Sequence, residues 1–92
     1  MADVTAHVIV RGRVQRVAYR ATLQREALTR DVRGWVRNRP DGSVEAVLQG
    51  SPDAIHAVID WAWTGPGGAS VFDVEVTQGG PIEEWSSFEI RE

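Results

Sequence analysis

Two side chains in this sequence have the chemistry to handle a phosphorylated anion. Arg20 closes the stretch Gly12-Arg13-Val14-Gln15-Arg16-Val17-Ala18-Tyr19-Arg20 and falls in the first turn of a predicted helix. Its planar guanidinium can donate paired hydrogen bonds to two phosphate oxygens and stays charged throughout the physiological range. A helix start adds unpaired backbone N–H groups and the positive end of the helix dipole, so an anion is favoured there before any side chain contributes. An ordinary surface arginine would also fit that position. Asn38 lies in step with Val32, Gly34 and Val36, the more apolar side of its predicted strand. Its carboxamide could orient a water, although asparagine before Pro40-Asp41-Gly42 is also common turn chemistry.

Composition narrows the remaining possibilities. With 92 residues and 42% hydrophobic content, one globular domain spanning residues 1–92 is expected, and Cys is absent, which removes disulfides, thiolate nucleophiles and cysteine metal sites. The net charge of −3 argues against a general nucleic-acid binder. All ten basic residues are arginine, and most fall between Arg11 and Arg39, so that part of the chain suits an anionic ligand. Genome composition is the competing explanation for the missing lysine.

Other combinations offer less. His7 and His56 have no Glu-x-x-His or His-x-x-x-His partner, so no metal and no cofactor is expected. There is no Gly-x-Ser-x-Gly elbow for triad hydrolysis, and Glu83-Glu84 reads as a solvated turn. Gly65-Pro66-Gly67-Gly68 follows a helix and precedes a strand, the reverse of a phosphate-loop order, and is read as a connector. Trp35, Trp61, Trp63 and Trp85 are expected to serve core packing, with one exposed ring able to border a substrate.

The elements that must position Arg20 and Asn38 follow from periodicity. Val4, Ala6, Val8 and Val10 alternate with Thr5, His7, Ile9 and Arg11, which predicts a first strand. Good helix formers over residues 19–30 predict a helix, with Leu23, Ala27 and Leu28 on one side. Residues 32–38 and 43–49 form a predicted hairpin about Arg39-Pro40-Asp41-Gly42. Ser51-Pro52-Asp53 supplies a cap and a first-turn proline for a second helix carrying Ile55, Val58, Ile59 and Ala62, which stops near Thr64. Residues 71–77 alternate as a fourth strand, and residues 88–91 suit a short closing one.

That order predicts an α+β, ferredoxin-like β-α-β-β-α-β sandwich: an antiparallel sheet with two helices on one face and a short fifth strand. In this topology the first and second strands run in the same direction with the third between them. Their carboxyl ends, and the start of the first helix, therefore share one edge of the sheet. Arg20 and Asn38 are expected to meet there.

Residues 10–20 resemble the first acylphosphatase signature, in which a strand leaves through Gly-x-Val-Gln-Gly-Val-x-aromatic-Arg. Gly34-Trp35-Val36-Arg37-Asn38, Gly42-Ser43-Val44 and Gly50 are similar to the second signature at every fixed position. The resemblance covers nearly the whole chain. It implies hydrolysis of carboxyl-phosphate mixed anhydrides, with Arg20 and the loop Arg13, Val14, Gln15, Arg16, Val17, Ala18 and Tyr19 holding the phosphoryl group while Asn38 positions water. A carboxylate is a good leaving group, so such chemistry can run on charge stabilisation and orientation without a metal.

Arg16 stands where that family usually has glycine, the residue that permits positive φ and close backbone approach. Strain costing about 1–3 kcal/mol is one consequence, and added positive potential at the mouth is the other. Tyr19 replaces the commoner phenylalanine, with its hydroxyl expected at the rim. The competing reading is a catalytically weak or inactive ferredoxin-like anion- or ligand-binding module. An RNA-binding sheet is disfavoured because residues 43–49 carry no aromatic. The implied setting is a cytoplasmic monomer acting on a small-molecule acyl phosphate, with phosphate or sulfate as binding anions and no nucleic-acid or membrane partner.

Overall fold

Alternation of apolar and polar residues produces five strands, and helical spacing produces two helices, in the order β1 (Val4–Arg13), α1 (Tyr19–Thr29), β2 (Arg33–Asn38), β3 (Val44–Gly50), α2 (Pro52–Thr64), β4 (Ser70–Gln78) and β5 (Phe88–Arg91). The structure is a computed structural model and describes residues 2–92. Strand order is β4-β1-β3-β2-β5. β1 and β2 both pair antiparallel with β3, so they share a direction, and β4 pairs antiparallel with β1. This is the expected ferredoxin-like arrangement with one amendment: β5 pairs parallel with β2, so the sheet is mixed rather than wholly antiparallel.

The direction of β5 follows from its connection. Residues 79–87 leave β4 at one edge of the sheet and cross to the opposite edge. Gly79 N donates to Thr5 O at 2.9 Å, and the Gln49 side chain both donates to Glu83 O (2.6 Å) and accepts from Glu83 N (2.8 Å). Gln49 is thereby buried with its amide satisfied at both ends.

One face of the sheet carries Ala6, Val8, Val10, Val36, Val44, Ala46 and Leu48, and both helices pack on it through Leu23, Ala27, Ile55, Val58 and Ala62. Leu28, expected beside Leu23 and Ala27, is instead exposed: one residue past Ala27 turns it about 100° around the helix, off the buried stripe. Apart from Trp61, the tryptophans also depart from expectation. None is fully buried: Trp61 is half-buried and packs against the core beside Tyr19, Trp35 and Trp85 are half-buried away from it, and Trp63 is exposed. Trp35 occupies the helix-free face, with the guanidinium carbons of Arg37 and Arg91 at 5.6 and 5.0 Å from its ring. That face is otherwise an ion-pair surface, including His7–Glu45 and Arg37–Glu45, both at 2.6 Å.

Helix ends are satisfied as their residues require. The Ser51 hydroxyl accepts from Ala54 N at 3.2 Å with Pro52 in the first turn, and Gly65, with φ +67°, ends α2. The glycine stretch at 65–68 connects α2 to β4, as expected from its order. Among the described residues no helix is long and apolar enough to cross a membrane.

Candidate active site

Two glycines let neighbouring strands approach closely, Gly12 at the end of β1 that leads to the site and Gly34 at the start of β2. Gly12 and Gly34 have φ near +137° and +139°, and a Cβ would lie 2.1 Å from Ser70 O and 1.9 Å from Val47 O respectively. No L side chain fits either place. Beyond Gly12 the chain leaves β1, with Val14 buried in the core, and turns into α1 through Arg16 (φ 63°) and Ala18 (φ 60°). Two left-handed non-glycine residues this close cost about 1–2 kcal/mol each. Strain concentrated in one loop is a marker of function, to be read from the outlier toward the site.

Ala18 caps α1 without a side-chain hydrogen bond, and the first backbone bond of the helix is Thr22 N to Ala18 O at 3.0 Å. The N–H groups of Tyr19, Arg20 and Ala21 are therefore left without intrahelical acceptors. They carry the positive end of the helix dipole.

This loop is tied to the β2–β3 hairpin by Gln15. Its Nε2 donates to Arg39 O at 2.8 Å and to Ser43 O at 2.9 Å, so the residue following Asn38 is clamped to the loop that precedes Arg20. The hairpin is itself locked: Asp41 Oδ1 accepts from Ser43 N (2.9 Å) and Ser43 Oγ (2.5 Å), and the Ser43 bonds hold the Asp41 carboxyl below the usual carboxylate range. On the other side, Arg20 Nη1 donates to Arg91 O at 3.2 Å and Gln24 Nε2 to Phe88 O at 2.8 Å, which joins α1 to β5.

Between these attachments lies a cavity of about 170 Å³ lined by Val14, Arg16, Ala18, Tyr19, Arg20, Ala21, Asn38 and Ile90. Arg20 and Asn38, eighteen positions apart in sequence, thus line one cavity, and among the described residues no carboxylate lines it. Asn38 Oδ1 is buried with no donor among the described residues in reach. A buried acceptor left unpaired costs about 1–3 kcal/mol.

Of the loop residues singled out from the sequence, Val14, Arg16, Ala18 and Tyr19 reach the cavity wall, whereas Arg13, Gln15 and Val17 do not line it. Arg13 is exposed, and Val17 faces Gly68. The Tyr19 hydroxyl is not at the rim: it donates to Ala62 O at 2.7 Å inside the core, and burial pushes its pKa well up. That hydroxyl reaches a carbonyl in the last turns of α2 that the helix itself leaves unpaired, which decides its inward direction. Sequence reasoning missed Ile90 and the Arg91 carbonyl. The only signal for them was the strand pattern of residues 88–91, which says nothing of what β5 stands beside. Among the described residues no three His, Cys, Asp or Glu side chains converge as a metal site.

Fold and cavity together define a ferredoxin-like sandwich with an arginine-lined pocket at the shared end of β1 and β2. The acylphosphatase family model matches residues 6–90, and the chain belongs to the acylphosphatase family. It is 49% identical over 89 residues to an acylphosphatase of Thiobacillus denitrificans, covering 95% of this chain and 96% of that one. Among solved structures it is similar to an acylphosphatase from Bacillus subtilis (35% identity, TM-score 0.94, 97% and 99% of the two chains covered). Similarity to an acylphosphatase from Coxiella burnetii is close to this (34% identity, TM-score 0.93, 98% and 94% covered).

Proposed function

We propose that this enzyme hydrolyses acyl phosphates in the cavity shared by Arg20 and Asn38. The observation that carries the assignment of roles is that Asn38 lines the same cavity as the Arg20 guanidinium and an uncapped helix start. In this reading the phosphoryl group sits against the first N–H groups of α1, with the Arg20 fork on two of its oxygens. The Asn38 carboxamide orients the attacking water by a hydrogen bond, so that a lone pair of the water faces phosphorus. The water oxygen bonds phosphorus, the bond from phosphorus to the acyl oxygen breaks, and the carboxylate leaves with that electron pair. One water proton stays on the new P–OH and the other passes to a second phosphate oxygen. No strong base is needed, because the leaving group needs no proton and the transition state asks mainly for charge stabilisation and alignment.

The positioning bonds support this division of labour. Gln15 fixes the loop to the hairpin that carries Asn38, and the Arg91 carbonyl limits the swing of the Arg20 guanidinium. The same reading treats residues 1–92 as one domain, working as a cytoplasmic monomer on a small-molecule substrate, with phosphate or sulfate competing for the pocket. Phosphate release from benzoyl phosphate is the test. The parent enzyme is expected to turn over unchanged in the presence of a chelator, and Arg20→Ala and Asn38→Ala to lose about 10²–10³-fold, the size of loss seen when a preorganised donor is removed. Full activity in either folded variant would overturn the role given to that residue.

A further inference from the structure

We infer that Arg16 biases this enzyme toward acyl phosphates whose acyl chain carries a second anionic group. The inference rests on the acyl phosphate reading above and deepens it. Arg16 and Arg20 both line the cavity, yet they stand differently. Arg20 is half-buried and donates to the Arg91 carbonyl, whereas Arg16 is exposed and, among the described residues, has neither an ion-pair nor a hydrogen-bond partner. Five of the eight arginines elsewhere on the molecule are paired: Arg11 with Asp73 and Glu75, Arg30 with Glu26, Arg33 with Asp3, Arg37 with Glu45 and Arg91 with Glu89. Among the described residues the cavity wall, in contrast, contains no carboxylate that could neutralise either of its guanidiniums.

One phosphoryl dianion is already matched by Arg20 and the α1 amino end. A second cation at the mouth is then left for negative charge elsewhere on the substrate. A terminal carboxylate or phosphate on the acyl chain lies within a Debye length of the mouth, about 8–10 Å at physiological salt, so its attraction to Arg16 is only partly screened. The backbone argues in the same direction. Arg16 holds φ 63°, a conformation that glycine or asparagine adopts at lower cost, so a long charged side chain is kept there against local preference.

The test compares kcat/KM for succinyl phosphate and butanoyl phosphate, which match in chain length and differ in the terminal carboxylate. In the parent the succinyl-to-butanoyl ratio is expected to exceed that of Arg16→Asn by about three- to tenfold at low salt, the range of an exposed charge-assisted contact. Asparagine suits the left-handed backbone, so this variant removes the charge without adding strain. Arg16→Lys should keep most of the ratio, and about 0.5 M salt should bring the parent close to Arg16→Asn. An equal ratio in the parent and Arg16→Asn, with both hydrolysing butanoyl phosphate, overturns the role of Arg16 alone. A parent that hydrolyses neither compound overturns the acyl phosphate reading, and this inference with it.

Discussion

Replacing Tyr19 with phenylalanine tests how the fold holds the first turn of α1, and its cost can be worked from local geometry. The ring would remain 5.4 Å from Trp61, so apolar burial changes little. What disappears is a donor 2.7 Å from Ala62 O, leaving a buried helix-end carbonyl with no partner. An unsatisfied buried acceptor costs about 1–3 kcal/mol, and for a domain of this size about 2 kcal/mol would lower Tm by roughly 8–15 °C. Urea unfolding should show the same loss in midpoint with an unchanged m value. Alkaline pH supplies a second signature. Burial raises the folded phenol pKa above its unfolded value, so the stabilisation is complete below about pH 10 and is lost as pH climbs toward the folded value, at about 1.4 kcal/mol per unit. Tyr19 is the sole tyrosine and the chain has no cysteine or lysine, so no other side chain titrates appreciably between pH 10 and about 11.5, where the fall is to be read. Tyr19→Phe should therefore lack the alkaline fall. A loss below about 0.5 kcal/mol, or the same fall in both proteins, would refute the buried-bond argument.

Other consequences can be checked in parallel. Gln15→Ala removes both clamps between loop and hairpin, and kcat should drop about tenfold or more in a protein whose circular dichroism is unchanged. Gly34→Ala places a Cβ 1.9 Å from Val47 O and should destabilise by more than about 3 kcal/mol in urea titration, or prevent folding. Burial alone would raise the Glu45 pKa, but its bonds to His7 and Arg37 outweigh burial and hold it low. Its stabilisation is then present above the ordinary carboxylate range and lost as pH falls through the folded value. Glu45→Gln should cost about 1–2 kcal/mol near neutral pH and flatten the acid limb of a stability profile. Ser51→Ala should cost about 1 kcal/mol in the same assay, since it removes the α2 cap.

Much of the architecture was legible because its causes are local. Strand alternation, the Pro-Asp-Gly turn and the Ser-Pro helix start each act within a few residues, and they place the elements within a residue or two of those observed. Topology then followed from element order, and with it the meeting of Arg20 and Asn38. Errors arose where a side chain's surroundings come from distant chain. Leu28, Trp35 and Trp63 are apolar, but burial depends on which surface a partner element covers, and that is not written in a residue's own neighbourhood.

By itself, then, the sequence determined the element types, the sandwich class and the two side chains that could handle a phosphoryl group. Only the tertiary structure decided that Gln15 clamps backbone instead of lining the pocket, and that the Tyr19 hydroxyl points inward to Ala62. It also decided that Asn38 Oδ1 is buried without a partner and that Ile90 stands in the cavity wall. The reason is physical. Propensity and periodicity are set along the chain, whereas hydrogen-bond satisfaction and cavity shape are set by segments that meet only after the sheet has closed around them.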